Sequence, residues 1–203
     1  MPTFRTDLIG RPVMKRFLGV LALALVAALA LAACGNDAGN GSSSSSSEFN
    51  DADVTFAQSM IPHHEQAVEM AKMAASHAST AEVKDLAAKI EAAQGPEIAM
   101  MSAWLKAWGK DVPSGGSMGG MNHGSGGMPG MMSNDDMMSL DSSDGAGFDR
   151  MFLTMMIEHH EGAIEMAKTE QADGKNADAV ALAKKIEADQ TAEIAVMKDL
   201  LKS

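Results

Sequence analysis

The sequence predicts an all-α protein, an antiparallel four-helix bundle assembled from two copies of one helical hairpin. Three observations predict it. Aromatic residues make up only 4% of the 203 positions and Tyr is absent, which disfavours strands, while Ala, Glu, Lys, Leu and Met favour helix. An internal repeat covers a whole hairpin: Met60-Ile61-Pro62-His63-His64-Glu65-Gln66-Ala67-Val68-Glu69-Met70-Ala71-Lys72 recurs as Met156-Ile157-Glu158-His159-His160-Glu161-Gly162-Ala163-Ile164-Glu165-Met166-Ala167-Lys168, at an offset of 96. Apolar residues then recur at helical spacing, as Val83, Leu86, Ile90, Ile98, Met101 and Leu105 and again as Ala179, Leu182, Ile186, Ile194, Met197 and Leu201. One hairpin cannot bury such a stripe alone, and two can pair into a bundle.

Each element has start and stop signals. Asp53 and Asp149 read as N-caps of the first helix of each copy, with Phe56 and Phe152 three positions on. That helix is predicted to end near Ser76 in copy one and before Gly174 in copy two, where glycine suits a left-handed cap. The second helix begins near Ser79-Thr80-Ala81-Glu82, a capping-box pattern, and near Asn176 in copy two. Copy one closes at Trp108-Gly109, and Pro113 bars continuation. Pro62 lies inside the first helix and predicts a bend with the Gln58 carbonyl freed, and Gly95-Pro96 is a second interruption confined to copy one. The hairpins thus occupy residues 50–111 and 147–203. Residues 112–146 are rich in Gly, Ser and Met without periodicity and are predicted to form a disordered crossover.

The beginning of the chain reads as an address. Residues 1–33 pair a basic segment (Arg5, Arg11, Lys15, Arg16) with an apolar run, the anatomy of a secretory signal. The run ends in Leu31-Ala32-Ala33-Cys34, which resembles a bacterial lipobox, and Cys34 is the only cysteine of the chain. The expected product is an extracytoplasmic lipoprotein acylated at Cys34, held to the membrane by its acyl chains, with residues 34–49 as a Ser/Gly tether. The rival reading of the apolar run is an uncleaved membrane anchor. A single cysteine excludes an internal disulfide and a Cys-based zinc cage. The net charge of -11, more negative still once the signal is removed, excludes non-specific nucleic-acid binding and repels anionic lipid.

The candidate chemistry lies in the histidine doublets. Residues three and four apart share a helix face, so Met60, His63, His64 and Met70 form one stripe and Met156, His159, His160 and Met166 its copy. Folding each hairpin about its turn with equal rise in both helices puts Glu91 and Gln94 level with His64, and Glu187 and Gln190 level with His160. A buried imidazole or carboxylate is costly unless paired. Such a layer is therefore either a hydrogen-bonded network that fixes bundle register or a metal site. Imidazole suits Cu, Zn, Fe and Ni, and thioether selects Cu(I). The crossover adds Met118, Met121, His123, Met128, Met131 and Met132, soft donors in a segment with no core to fill. Compositional drift and a role as oxidant sink are the plainer readings of those methionines. His77 reads as a solvent-facing residue.

The paired Met-Ile-x-His-His-x-x-Ala-[Val/Ile]-x-Met-Ala motifs, each followed by a second helix, resemble the bacterial secreted proteins grouped as domain-of-unknown-function family three hundred and five. The resemblance covers about residues 50–203. It implies a ferritin-like bundle and a part in copper handling and metal resistance outside the cytoplasm, carried by His63, His64, His159 and His160 with Met60, Met70, Met156 and Met166 around them. Di-iron oxidase chemistry is not implied, because di-iron bundles use Glu-x-x-His motifs whereas this chain has Glu91-x-x-Gln94 and Glu187-x-x-Gln190. The leading expectation is a lipid-anchored copper-binding protein, not an enzyme, with no organic cofactor. The alternatives are a metal-dependent redox enzyme on the same frame and a structural or adaptor lipoprotein whose histidine layer only sets packing.

Overall fold

The computed structural model describes residues 48–113 and 127–202, so Cys34, Met118, Met121 and His123 lie outside the described residues. Four long helices carry the repeat: α1 (Asp51–His77), α2 (Ala81–Ala107), α4 (Gly145–Asp173) and α5 (Ala177–Leu200), with a short α3 (Asn134–Asp141) ahead of α4. The protein is an all-α bundle in which α1 packs on α2, α4 on α5, and the two hairpins meet along α1 and α4. No helix among the described residues is long and apolar enough to cross a membrane.

Three of the four long helices start on a side-chain cap, with two shifts from the sequence reading. Asn50, not Asp53, caps α1: its side chain accepts from the Ala52 and Asp53 amides, and the Asn50 amide donates to Asp53 in return at 2.7 Å. Thr80 caps α2 and Asn176 caps α5. Asp144, not Asp149, stands at the N-cap of α4. The two displaced aspartates have a larger task. Asp53 accepts from the Lys175 and Asn176 amides (3.1 and 2.8 Å), and Asp149 from the Ser79 amide, the Ser79 hydroxyl and the Thr80 amide (2.9, 2.6 and 3.1 Å). Each hairpin thus clasps the turn of the other. Because the start of α1 touches the end of α4 and the start of α4 touches the end of α1, these two helices run antiparallel.

Both prolines are absorbed without a break, and α1 and α2 continue through Pro62 and Pro96. Gly174 ends α4 as predicted, but at φ -69°, so it is not a left-handed cap. Its missing side chain serves a close approach instead: a Cβ there would collide with the carboxyl of Glu170.

The crossover departs further from expectation. Ser133 and Asp136 close a capping box that starts α3, and Leu140 of α3 is fully buried in the core. From residue 127 onward the segment predicted to be disordered is therefore ordered. Helical periodicity could not reveal it, because one short helix with a single fully buried side chain, Leu140, shows too few turns to make a pattern.

The core is built from two apolar clusters. One joins Met70 with Ile90, Phe148, Phe152, Met156 and Met197; the other joins Met60 with Met101, Leu105, Ile186 and, at its edge, Met166. The histidines lie between them.

Candidate metal centre

All four histidines of the doublets are fully buried. His63 and His159 meet where α1 crosses α4, with ring centroids 3.7 Å apart and planes tilted by 40°. His64 and His160 turn the other way, each toward the second helix of its own hairpin. His64 Nε2 lies 2.9 Å from Glu97 and His160 Nε2 2.7 Å from Glu193. Glu97 and Glu193 are equivalent positions of the repeat. Adjacent residues on a helix differ by about 100° around its axis, and that is why one histidine of each doublet faces the opposite hairpin while its neighbour faces its own.

The carboxylates at the layer are therefore not Glu91 and Glu187. Glu91 is half-buried, and the carboxylate that His64 meets is that of Glu97; Glu187 accepts from Gln171 at 2.7 Å and lies 3.6 Å from Lys168. The shift has a simple cause. Helical side chains lean toward the N-terminus of their own helix. In an antiparallel hairpin this moves His64 away from the turn and a glutamate on α2 toward it. Meeting heads then belong to residues further apart in number than equal rise suggests, and both hairpins show the same displacement. Gln94 and Gln190 lie one turn from these glutamates, buried; among the described residues both amide atoms of Gln94 and Oε1 of Gln190 have no hydrogen-bond partner.

Hydrogen bonding fixes the ring chemistry. A carboxylate only accepts, so Nε2 of His64 and of His160 carries the proton and donates. His63 Nε2 likewise donates to the Pro129 carbonyl, 3.0 Å away. Among the described residues, Nδ1 of His63, His64, His159 and His160 has no hydrogen-bond partner, nor has Nε2 of His159. Burial pushes His63 down to about 3, aided by its neighbours His64 and His160 and opposed by the Pro129 carbonyl. Burial also lowers His64, against the pull of Glu97, and takes His159 well below the ordinary imidazole range, together with His63 and His160 nearby. Burial alone would raise Glu97, but hydrogen bonds from His64 and Lys185 outweigh it and hold the carboxyl below its usual range. Lys185 of α5 reaches Glu97 Oε1 at 2.9 Å, while among the described residues Glu193 has no lysine partner.

This arrangement fits a metal ion. Neutral imidazole is the form that ligates, and a ligating histidine commonly donates its other ring nitrogen to a carboxylate or carbonyl. A buried acceptor left unpaired costs about 1–3 kcal/mol, so four of them are a burden for a layer that only sets packing. Among the described residues no three His, Cys, Asp or Glu side chains form a ready-made cage. The further donors at hand are thioethers. Met60 and Met156, both fully buried, stand one turn from the doublets of their own helices. Met60 shares its apolar cluster with half-buried Met166, and Met156 shares its cluster with buried Met70. The fit is imidazole and thioether, a soft set.

A family model described as a domain of unknown function, DUF305, matches residues 53–201. The chain belongs to the DUF305 family. Among solved structures, a DUF305 protein of Streptomyces coelicolor described as secreted is 33% identical, with a TM-score of 0.67 over 79% of this chain and 94% of that one. CopM in its Cu(II)-bound form is 34% identical, with a TM-score of 0.64 over 74% of this chain and 95% of CopM. Its Cu(I)-bound form superposes at a TM-score of 0.61 and 30% identity over the same shares, and CopM is also known in a silver-bound form. A comparison with curated proteins finds no match. Copper binding thus occurs within the fold this DUF305 chain adopts.

Sequence reasoning missed Glu97 and Glu193. The signal was there, since both stand at the repeat offset, one turn beyond the Glu-x-x-Gln pairs. It also missed Pro129, Gln66 and Gly162, whose contacts join parts of the chain far apart in sequence. Met128, Met131 and Met132 are half-buried on the ordered end of the crossover.

Proposed function

We propose that this chain is an extracytoplasmic, lipid-anchored copper-binding protein. It takes up Cu(I) through Nδ1 of the buried imidazoles, with Met60, Met70, Met156, Met166 and the crossover methionines as thioether donors, and buffers or hands on the ion. The observation that carries this reading is the orientation of the doublets: Nε2 of His64 and His160 is tied to a carboxylate while the opposite nitrogen has no partner among the described residues. The likeness to CopM, which binds copper and silver, supports the choice of a soft ion.

The test is Glu97→Gln in the mature chain, titrated with Cu(I) against a chromophoric chelator. Outer-shell partners of ligating histidines are worth about 10–100-fold in affinity, and a loss in that range with an unchanged helical spectrum is the expected result. Wild-type affinity would remove the orientation argument. The anchor is tested separately. Cys34→Ala is expected to move the protein from the membrane fraction to the soluble one, and retention in the membrane would instead favour an uncleaved apolar anchor.

A further inference from the structure

Two residues beyond the doublets the copies of the repeat differ: Gln66 stands in the first, Gly162 in the second. Both touch the crossover, in opposite ways. Gln66, 2% exposed, donates from Nε2 to the Met132 carbonyl and accepts at Oε1 from the Met132 amide, both at 2.9 Å. Gly162 does its part by having no side chain, since a Cβ there would run into the backbone of Pro129 and Gly130.

Between these two holds lies a tight turn. Met128-Pro129-Gly130-Met131 has Pro at the second position, Gly at φ +74° at the third and a bond from the Met131 amide to the Met128 carbonyl at 3.2 Å. That is the pattern of a type II turn, which brings its end residues within about 7 Å of each other. Two methionines are thereby set side by side. Gly130 sits on the α4 backbone at Glu158 and His159, where a side chain would collide, and the Pro129 carbonyl accepts a hydrogen bond from His63 Nε2. The turn is thus fastened to α1 and α4 where His63 and His159 meet.

We infer that Gln66 and Gly162 are positioning residues that seat the Met-Pro-Gly-Met turn on the imidazole layer, so that core and crossover hold one soft ion jointly rather than as two independent sites. This rests on the copper-binding reading above and adds to it which residues couple its halves. It also accounts for the broken symmetry of the repeat, because one crossover can lie over only one side of a two-fold pair.

The test uses the full mature chain and Ag(I) or Cu(I) in chelator competition. The double change Met128→Ala/Met131→Ala and the single change His159→Ala are measured alone and together, in the wild-type background and with Gln66→Ala. Ala favours helix, so Gln66→Ala keeps α1 intact. Joint binding predicts losses of about tenfold or more for Met128→Ala/Met131→Ala, in the range of supporting residues at metal sites. It predicts combined losses smaller than the product, and no further effect of the methionine changes once Gln66→Ala is present. Gln66→Glu, which keeps the acceptor for the Met132 amide, is expected to recover part of the coupling. Hydrogen exchange gives a second readout. The Met132 amide should be protected further by metal in wild type, and by nothing in Gln66→Ala. Independent, multiplying losses with Gln66→Ala binding as wild type would overturn the inference and leave the copper reading standing. Wild-type binding by His159→Ala would overturn both.

Discussion

Replacing His63 and His159 together by leucine is expected to lower Cu(I) affinity by at least about a hundredfold, beyond what outer-shell changes cost, while the metal-free protein keeps or gains thermal stability. The two effects have one origin. These rings meet at the crossing of α1 and α4, fully buried, and among the described residues three of their four nitrogens have no hydrogen-bond partner. Leucine fills similar space without the three unpaired nitrogens, and that relief offsets the one donor lost to the Pro129 carbonyl. Chelator competition for Cu(I) and a melt in the presence of chelator measure the two halves. The opposite result, a large drop in melting temperature with unchanged metal affinity, would mean that the layer sets packing and nothing else. Stability gained by losing the ligands would be the signature of a site kept for binding.

The second large effect concerns Glu170, remote from the doublets at the end of the bundle. It is 1% exposed and faces Asp53. Burial, the hydrogen bond with Asp53 and the charges of Asp53 and Asp173 raise its carboxyl from an ordinary 4.5 to about 8. Burial would raise Asp53 too, but the hydrogen bond from Glu170 and the amides of Asn50, Asn176 and Lys175 hold it low. Glu170 thus stays protonated beside Asp53, the residue that clasps the turn of the second hairpin. The sign follows from linkage. A carboxyl raised on folding contributes stability below its unfolded value, and the contribution is lost as pH climbs toward the folded one. Between about 4.5 and 8 the protein should lose up to about 1.4 kcal/mol per pH unit from this group. Asp53 acts in the other direction, losing its contribution as pH falls through its depressed value. Glu170→Gln keeps a donor toward Asp53 without the charge, so it should flatten the decline and raise the melting temperature at pH 8 while changing little at pH 5. An equal slope in both proteins would place the titrating group elsewhere. In the first copy the equivalent residue is Ala74, so the device belongs to the second hairpin alone.

The helices were legible because helix formation is local. Apolar spacing, the caps at Thr80 and Asn176, and the stop at Gly174 each act within a turn or two of chain, and the repeat doubled every signal. The histidine layer was legible for the same reason, since the doublet geometry is a property of one helix. Equal rise points to Glu91 where the structure has Glu97, because it ignores the lean of side chains, a small angle that becomes several residues of register when two antiparallel helices contribute to it. Gly174 was recognised as a terminator for its backbone freedom, whereas its use is the space it leaves for Glu170.

Sequence alone determined that the chain folds as four long helices in two equivalent hairpins, with imidazole doublets midway along each leading helix. Those features depend on contacts between residues at most a few positions apart, or on symmetry that the repeat makes plain. Only the tertiary structure decided which carboxylates orient the imidazoles, which aspartate closes which turn, and that the end of the crossover lies fastened over the histidines. Each of those choices joins groups separated by dozens of residues. A hydrogen bond such as Gln66 to Met132 or Asp53 to Asn176 has no periodic trace in the chain, because its partners are brought together only when the hairpins pack.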